Sequence, residues 1–236
     1  MESKPYTVQM EVEGPFAMFT RPDTGGTPTS YPVPTWSACK GIFESIAFLA
    51  HGEAHIVPTK MEVCRRKDKS GGVMVFQRYT TNYGGPLRKT DLFRKGTAPG
   101  GSSMQLFATV LRDVCYRLQG SVVGPPSRTR INARHFLKDL FERRLKQGRC
   151  FRTPCLGWSE FTCSYWGPFR EGVTEVDEAL SMKVPSMLLG VWDSALFGQY
   201  SPMYHQDVRV EAGVLKYNVP PEWEQDCGRE EVHNAQ

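Results

Sequence analysis

Arg65, Arg66, Lys67 and Lys69 are followed by Arg88, Lys89, Arg94 and Lys95, and Tyr79, Tyr83 and Phe93 lie between them. Cations neutralise phosphates and aromatic faces take unstacked bases, at about 1–3 kcal/mol per stack, so this mixture suits single-stranded RNA. On spacing alone it also suits a solvated charged loop. A second series, Arg128, Arg130, Arg134, Lys138, Arg143, Arg144, Lys146, Arg149 and Arg152, is interrupted by Asp139 and Glu142. Arg130, Arg134 and Lys138 recur at helical spacing and can share one face, as a rail for phosphates, a contact to a partner subunit, or a wet surface.

Other chemistries find little support. His51 and His55 could coordinate metal or trade protons, but no convincing third ligand stands near them, and solvated loop histidines read as well. Cys150, Cys155 and Cys163 match neither the paired spacings of zinc ribbons nor a redox C-x-x-C, so buried reduced thiols are expected and no metal. The glycine-bearing GGPLRK and APGGSS do not form a phosphate-binding G-x-x-x-x-G-K-[ST], and no G-x-S-x-G serine nucleophile occurs.

Composition sets the frame for these residues. The 236 residues are 40% hydrophobic and 23% charged, an ordinary globular balance that predicts one or two domains. The net charge of +4 is too weak to prove a nucleic-acid partner by itself. Seven cysteines, and an opening Met1, Glu2, Ser3, Lys4 without a leader pattern, point to the cytoplasm. No apolar run approaches the ~18 residues of a membrane span.

Tyr6 to Glu13 alternates strictly, which predicts a strand with Val8, Met10 and Val12 inward and Gln9, Glu11 and Glu13 wet. Pro32 and Pro34 then hold the chain extended, Thr35 can cap a helix, and Ala38, Ile42, Phe43, Ile46 and Leu49 form its stripe. Ser37, Lys40, Glu44 and Ser45 point elsewhere. Gly41 costs that helix about 1 kcal/mol, which invites a reason such as close approach of a strand or an RNA backbone. Thr59 to Val63 and Val73 to Tyr79 predict a β-hairpin with a basic tip, followed by a long loop over residues 82–103. A strand from Leu106 to Leu118 comes next, with Arg112 as its one charged side chain among Val110, Val114, Tyr116 and Leu118. A helix then runs from Asn132 to Gly148 with Phe136, Leu137, Leu140, Phe141 and Leu145 as its stripe. Further strands are expected at Met187 to Val191, Val208 to Val210 and Val214 to Val219. The expectation is an α+β chain: a ferredoxin-like, RNA-recognition-type domain over residues 1–150, with the strands at Tyr6 and Val110 in one antiparallel sheet under both helices. A small β region over 151–222 and a disordered tail over 223–236 follow.

Several motifs resemble one family. SYPVPT with KGI and ESI is similar to the S-Y-x-V-x-T and G-I-x-E-x-I of the Cas-five subunit of type I-C CRISPR complexes. GPFAMFTRP at Gly14, LRDVCY at Leu111 and RLKQGRCFRTPCLGWSE at Arg144 resemble further family stretches in the same order. The resemblance implies a ferredoxin-like RAMP protein of antiviral defence that holds the 5′ repeat-derived handle of a CRISPR RNA. It implies docking on the backbone and large subunits of the Cascade surveillance complex, with target DNA met only indirectly, and Tyr31 and Lys40 near RNA. For the tyrosine, core packing is the other reading.

The family implies, too, a metal-independent endoribonuclease without cofactors, in which side chains help a 2′-hydroxyl attack the adjacent phosphate. Here its catalytic tyrosine falls at Ala47, and its lysine and histidine fall among Gln119, Gly120 and Ser121. None of these can move a proton near neutral pH. The expectation is therefore handle binding with weak or absent cleavage. The alternatives are a rewired site drawing on His51, His55, Lys60 or Tyr79 and, more distantly, a generic RNA-binding domain.

Overall fold

The computed structural model describes residues 6–49, 54–68, 74–83, 104–124, 132–193 and 199–218. Its elements run β1 (Thr7–Ala17), α1 (Trp36–Ile46), β2 (His55–Arg66), β3 (Val75–Tyr83), β4 (Met104–Val123), α2 (Ala133–Gln147), β5 (Tyr165–Gly167), β6 (Thr174–Val176), β7 (Met182–Asp193), β8 (Gln199–Glu211) and β9 (Val214–Lys216). The main path of the sheet is β5-β1-β4-β2-β9-β8-β7, with every pairing between these strands antiparallel. The tail expected at 223–236 lies outside the described residues.

β4 is the axis of the fold. Its stretch from Leu111 to Ser121 pairs with β1 on one edge, while Tyr116 to Val123 pairs with β2 on the other. Val8, Met10 and Val12 of β1 and Val110, Val114, Tyr116 and Leu118 of β4 are buried, as their alternation predicts. Arg112 is exposed beside Asp113, whose φ of 53° breaks the alternation there. Both helices cover this sheet, as expected: α1 packs on β2 and β7, α2 on β1 and β4. The helices meet at Phe43 and Phe141, with ring centroids 5.8 Å apart.

Local signals decide the helix ends. Thr35 Oγ1 accepts from the Ala38 N–H, capping α1. Asn132 Oδ1 accepts from Arg134 and His135, and Gly148 ends α2 with a left-handed φ of 64°, which glycine adopts without strain. The predicted stripes need two corrections. Ser45 is buried, its hydroxyl donating to the Ile42 carbonyl, because Phe151 and Arg152 bond back onto that end of α1. Phe136 is exposed, leaving Leu137, Phe141 and Leu145 as the buried face of α2.

The expected hairpin between β2 and β3 is not formed. Both strands run antiparallel to β4 along the same edge, β2 on its Tyr116–Val123 half and β3 on Met104–Arg112. Two strands antiparallel to the same partner run in the same direction, so they cannot be joined as a hairpin. β3 instead pairs with β4 as an arm whose last register pair is Tyr83 with Met104. Asn82 and Tyr83, expected as loop, belong to that strand, and residues 84–103 connect its two sides outside the described residues.

Glu11 is the other departure. Expected on a wet face, it is 0% exposed, because residues 165–176 fold over that side of β1.

Candidate nucleic-acid interface

The cations at the end of β2 lie at the surface and are engaged by partners within the protein. Arg65 pairs with Glu175 at 2.8 Å, Arg66 with Asp68 at 2.7 Å and Glu13 at 3.2 Å, and the Lys67 ammonium donates to the Glu171 carbonyl at 2.8 Å. Behind them the Glu11 carboxylate accepts from Arg170 Nε at 2.7 Å, Thr174 Oγ1 at 2.8 Å and Arg117 Nε at 3.2 Å. Burial alone would raise the Glu11 pKa, but the hydrogen bonds and charge of Arg170, with Thr174, hold it below 4.5. Arg170 also reaches Glu13 at 2.6 Å and lies 3.5 Å from the centre of the Tyr165 ring. These arginines fasten the covering segment to the sheet.

The β3–β4 arm has a different surface. Phe76, Arg78 and Phe107 are exposed on it. Tyr79 turns the other way and packs on Phe16 and, edge-on at 5.1 Å, on Phe161. Arg88, Lys89, Arg94 and Lys95 lie outside the described residues, in the 84–103 connection that the arm carries between Tyr83 and Met104. Lys69 lies in another connection outside the described residues, and so do Arg130 and His51.

On α2 the Arg134 guanidinium lies 5.8 Å from the Tyr6 ring, and Lys138 pairs with Glu142 at 3.6 Å one turn on. Arg143 and Arg144 near the end of this helix and Arg149 just beyond it line one cavity, and Arg152 follows Phe151, whose ring centroid lies 5.8 Å from that of Phe48. The two phenylalanines escaped the sequence reading: Phe48 lies beyond the helix and Phe151 in an irregular segment, so no periodicity marks them. The motif around Cys150 and Phe151 was the available signal.

The positions that the family match assigns to catalysis are the C-cap of α1, Ala47, and three successive residues of β4. Ala47 is 1% exposed. A side chain at Gly120 would meet Ile56 Cγ2 at 2.8 Å, the Val57 carbonyl at 3.0 Å and the Phe43 ring at 3.2 Å. Residue 120 therefore faces α1, and by alternation Gln119 and Ser121 face the opposite side of β4. Tyr31 is 3% exposed and its hydroxyl accepts from the Leu188 N–H at 3.1 Å, a core role. Lys40 forms an ion pair with Glu44 one turn along α1. Among the possible substitutes, His55 starts β2 opposite Val123, and Lys60 pairs with Glu62 at 2.6 Å. Burial, then Glu160, raises the Tyr79 phenol, which makes it a poorer proton-transfer group near neutral pH.

Cys39, Cys64 and Cys115 are buried free thiols, and burial pushes Cys39 up to about 12. Among the described residues no group of His, Cys, Asp or Glu is placed to hold a metal, and no helix is long and apolar enough to cross a membrane.

Known proteins resemble this chain along most of its length. A family described as "CRISPR-associated protein (Cas_Cas5)" matches residues 7–235. A protein of Thermus thermophilus named "CRISPR pre-crRNA endoribonuclease Cas5d" is 32% identical over 164 residues, 68% of this chain and 63% of its own length. A protein of the same name from Mannheimia succiniciproducens is 26% identical over 169 residues, 67% of this chain and 71% of its own length. Among solved structures, "Crystal Structure of CRISPR-associated Protein" superposes with a TM-score of 0.61 at 18% identity, covering 92% of this chain and 93% of the other. A structure from Streptococcus mutans, of a protein described as functionally uncharacterized, gives 0.58 at 17% identity, covering 90% and 92%.

Proposed function

The chain belongs to the Cas5 family of CRISPR-associated proteins, and from that premise we propose that it holds the 5′ repeat-derived handle of a CRISPR RNA in a type I-C surveillance complex without cutting it efficiently. The order β5-β1-β4-β2 with α1 and α2 on the sheet supports a ferredoxin-like core, the frame on which RNA-recognition domains are built. In this reading β7, β8 and β9 are the smaller C-terminal region, and backbone and large subunits pack around the bound handle. The arm delivers Arg88, Lys89, Arg94 and Lys95 to the RNA. Arg65, Arg66 and Lys67 secure the segment beneath it, and the complex acts in the cytoplasm.

One observation carries the non-cleaving part: Ala47 is buried, and Gly120 has no space for a larger side chain. General acid and base groups contribute about 10²- to 10⁴-fold each, and a set that acts as a unit is lost as a unit. The names of the relatives make pre-crRNA their substrate, and binding needs none of these groups. Incubating the purified protein with synthetic repeat RNA in chelator tests the proposal. A retained, uncut RNA is expected; cutting at one repeat position would instead mean a rewired site, and loss of that cutting in His51→Ala would name its base.

A further inference from the structure

Where α1 and α2 end, two exposed phenylalanines stand among arginines. Phe48 is 43% and Phe151 63% exposed, and their ring centroids lie 5.8 Å apart with the planes tilted by 36°. The backbone fixes them. Phe151 and Arg152 donate their N–H groups to the Ser45 carbonyl at 2.8 and 2.9 Å, and Arg144 Nη1 donates to the Ile46 carbonyl at 2.8 Å. The Ser45 and Ile46 carbonyls at the end of α1 are thereby satisfied by Phe151, Arg152 and Arg144, which fixes the backbone that carries the ring pair.

A cavity of about 410 Å³, lined by Leu140, Arg143, Arg144, Gln147, Arg149 and Cys150, is joined to the pair through Cys150, which precedes Phe151, and through Arg144, which binds the end of α1. The carboxylates of α2 are engaged further up the helix, Asp139 with His135 and Glu142 with Lys138. None pairs with Arg143 or Arg149 among the described residues. An apolar partner would cover the rings but leave these guanidinium groups desolvated without a counter-charge, at considerable cost. A nucleotide satisfies both, offering a flat base to the rings and a phosphate to the cations.

We propose that this corner is a subsite for one unpaired nucleotide of single-stranded RNA, its base stacked on Phe48 and Phe151 and its phosphate held by Arg143 and Arg149. The subsite rests on the RNA-binding function proposed for the chain and adds to it a second region of RNA binding, formed by the helix ends and separate in sequence from the β3–β4 connection.

The test is equilibrium binding of a short oligouridylate and of the same oligomer without its bases, across a salt series. In the Phe48→Ala/Phe151→Ala variant, affinity for the base-bearing oligomer should fall by about 5-fold or more, while affinity for the abasic one stays unchanged. In Arg143→Ala/Arg149→Ala the salt slope should flatten by roughly 0.7 for each phosphate left unneutralised, on both oligomers. Phe151→Tyr keeps an aromatic face and should keep affinity, which separates stacking from loss of fold. If the wild type retains neither the oligomers nor repeat RNA, the RNA-binding function falls together with the subsite; if it retains repeat RNA but neither oligomer, the subsite alone is overturned. If it binds and the phenylalanine variant loses nothing, or loses equally on both oligomers, the subsite alone is overturned.

Discussion

Gly120 touches the core so closely that the chain cannot regain a catalytic side chain there by simple substitution. A Cβ would come within 3.0 Å of the Val57 carbonyl, which is backbone and cannot swing away. Gly120→His should therefore destabilise the protein by about 1–3 kcal/mol or more, measured by denaturant unfolding, and should restore no cleavage. Glu11 makes the opposite point, since its buried charge is fully used. Replacing it by glutamine leaves buried Arg117 without its counter-charge and Arg170 with Glu13 alone, and should cost about 3–5 kcal/mol. Its pKa is depressed in the folded state, so its contribution is complete above pH 4.5 and is lost as pH falls through the lower folded value. Acid unfolding curves should show this dependence in the wild type and lack it in Glu11→Gln. Little of this was legible in the sequence. The alternation of β1 placed Glu11 correctly on the face away from the helices, but no local pattern shows that a segment more than a hundred residues later covers that face.

At the scale of elements, local chemistry was readable and long-range pairing was not. Thr35, Asn132 and Gly148 act within one helical turn, and each caps the helix that the sequence predicts. The strand at β3 was legible too, but its partner was not, because β2 is nearer in sequence while β4 offers the long free edge. Gly41 tests the packing of α1 directly. A Cβ there would meet nothing within 4 Å, so the protein's own strands do not require the glycine. Gly41→Ala should raise stability by about 1 kcal/mol, seen as a higher unfolding midpoint. A loss of RNA affinity in the same variant would place RNA against this turn of α1. The arm makes a second prediction at this scale: replacing Arg88, Lys89, Arg94 and Lys95 with alanine should flatten the salt dependence of RNA binding by about 0.7 for each phosphate that the missing cation had neutralised. An unchanged slope would leave them as solubilising charges.

For the whole molecule, one antiparallel sheet carries both helices on its strands, holds the β3–β4 arm at one edge of β4, and fixes the basic corner where α1 and α2 end. This arrangement carries a basic corner at the helix ends, and the positions matched to catalysis, Ala47, Gln119, Gly120 and Ser121, hold no acid–base group. The direct measurement is to mix the purified wild-type protein with end-labelled repeat RNA in chelator, following retention on a native gel and chain length on a denaturing one. Retained RNA of full length over a time in which a cleaving relative from the same family completes its reaction is the expected result. Rapid cutting at a single repeat position, or no retention at all, would contradict a subunit that holds the handle without cleaving it.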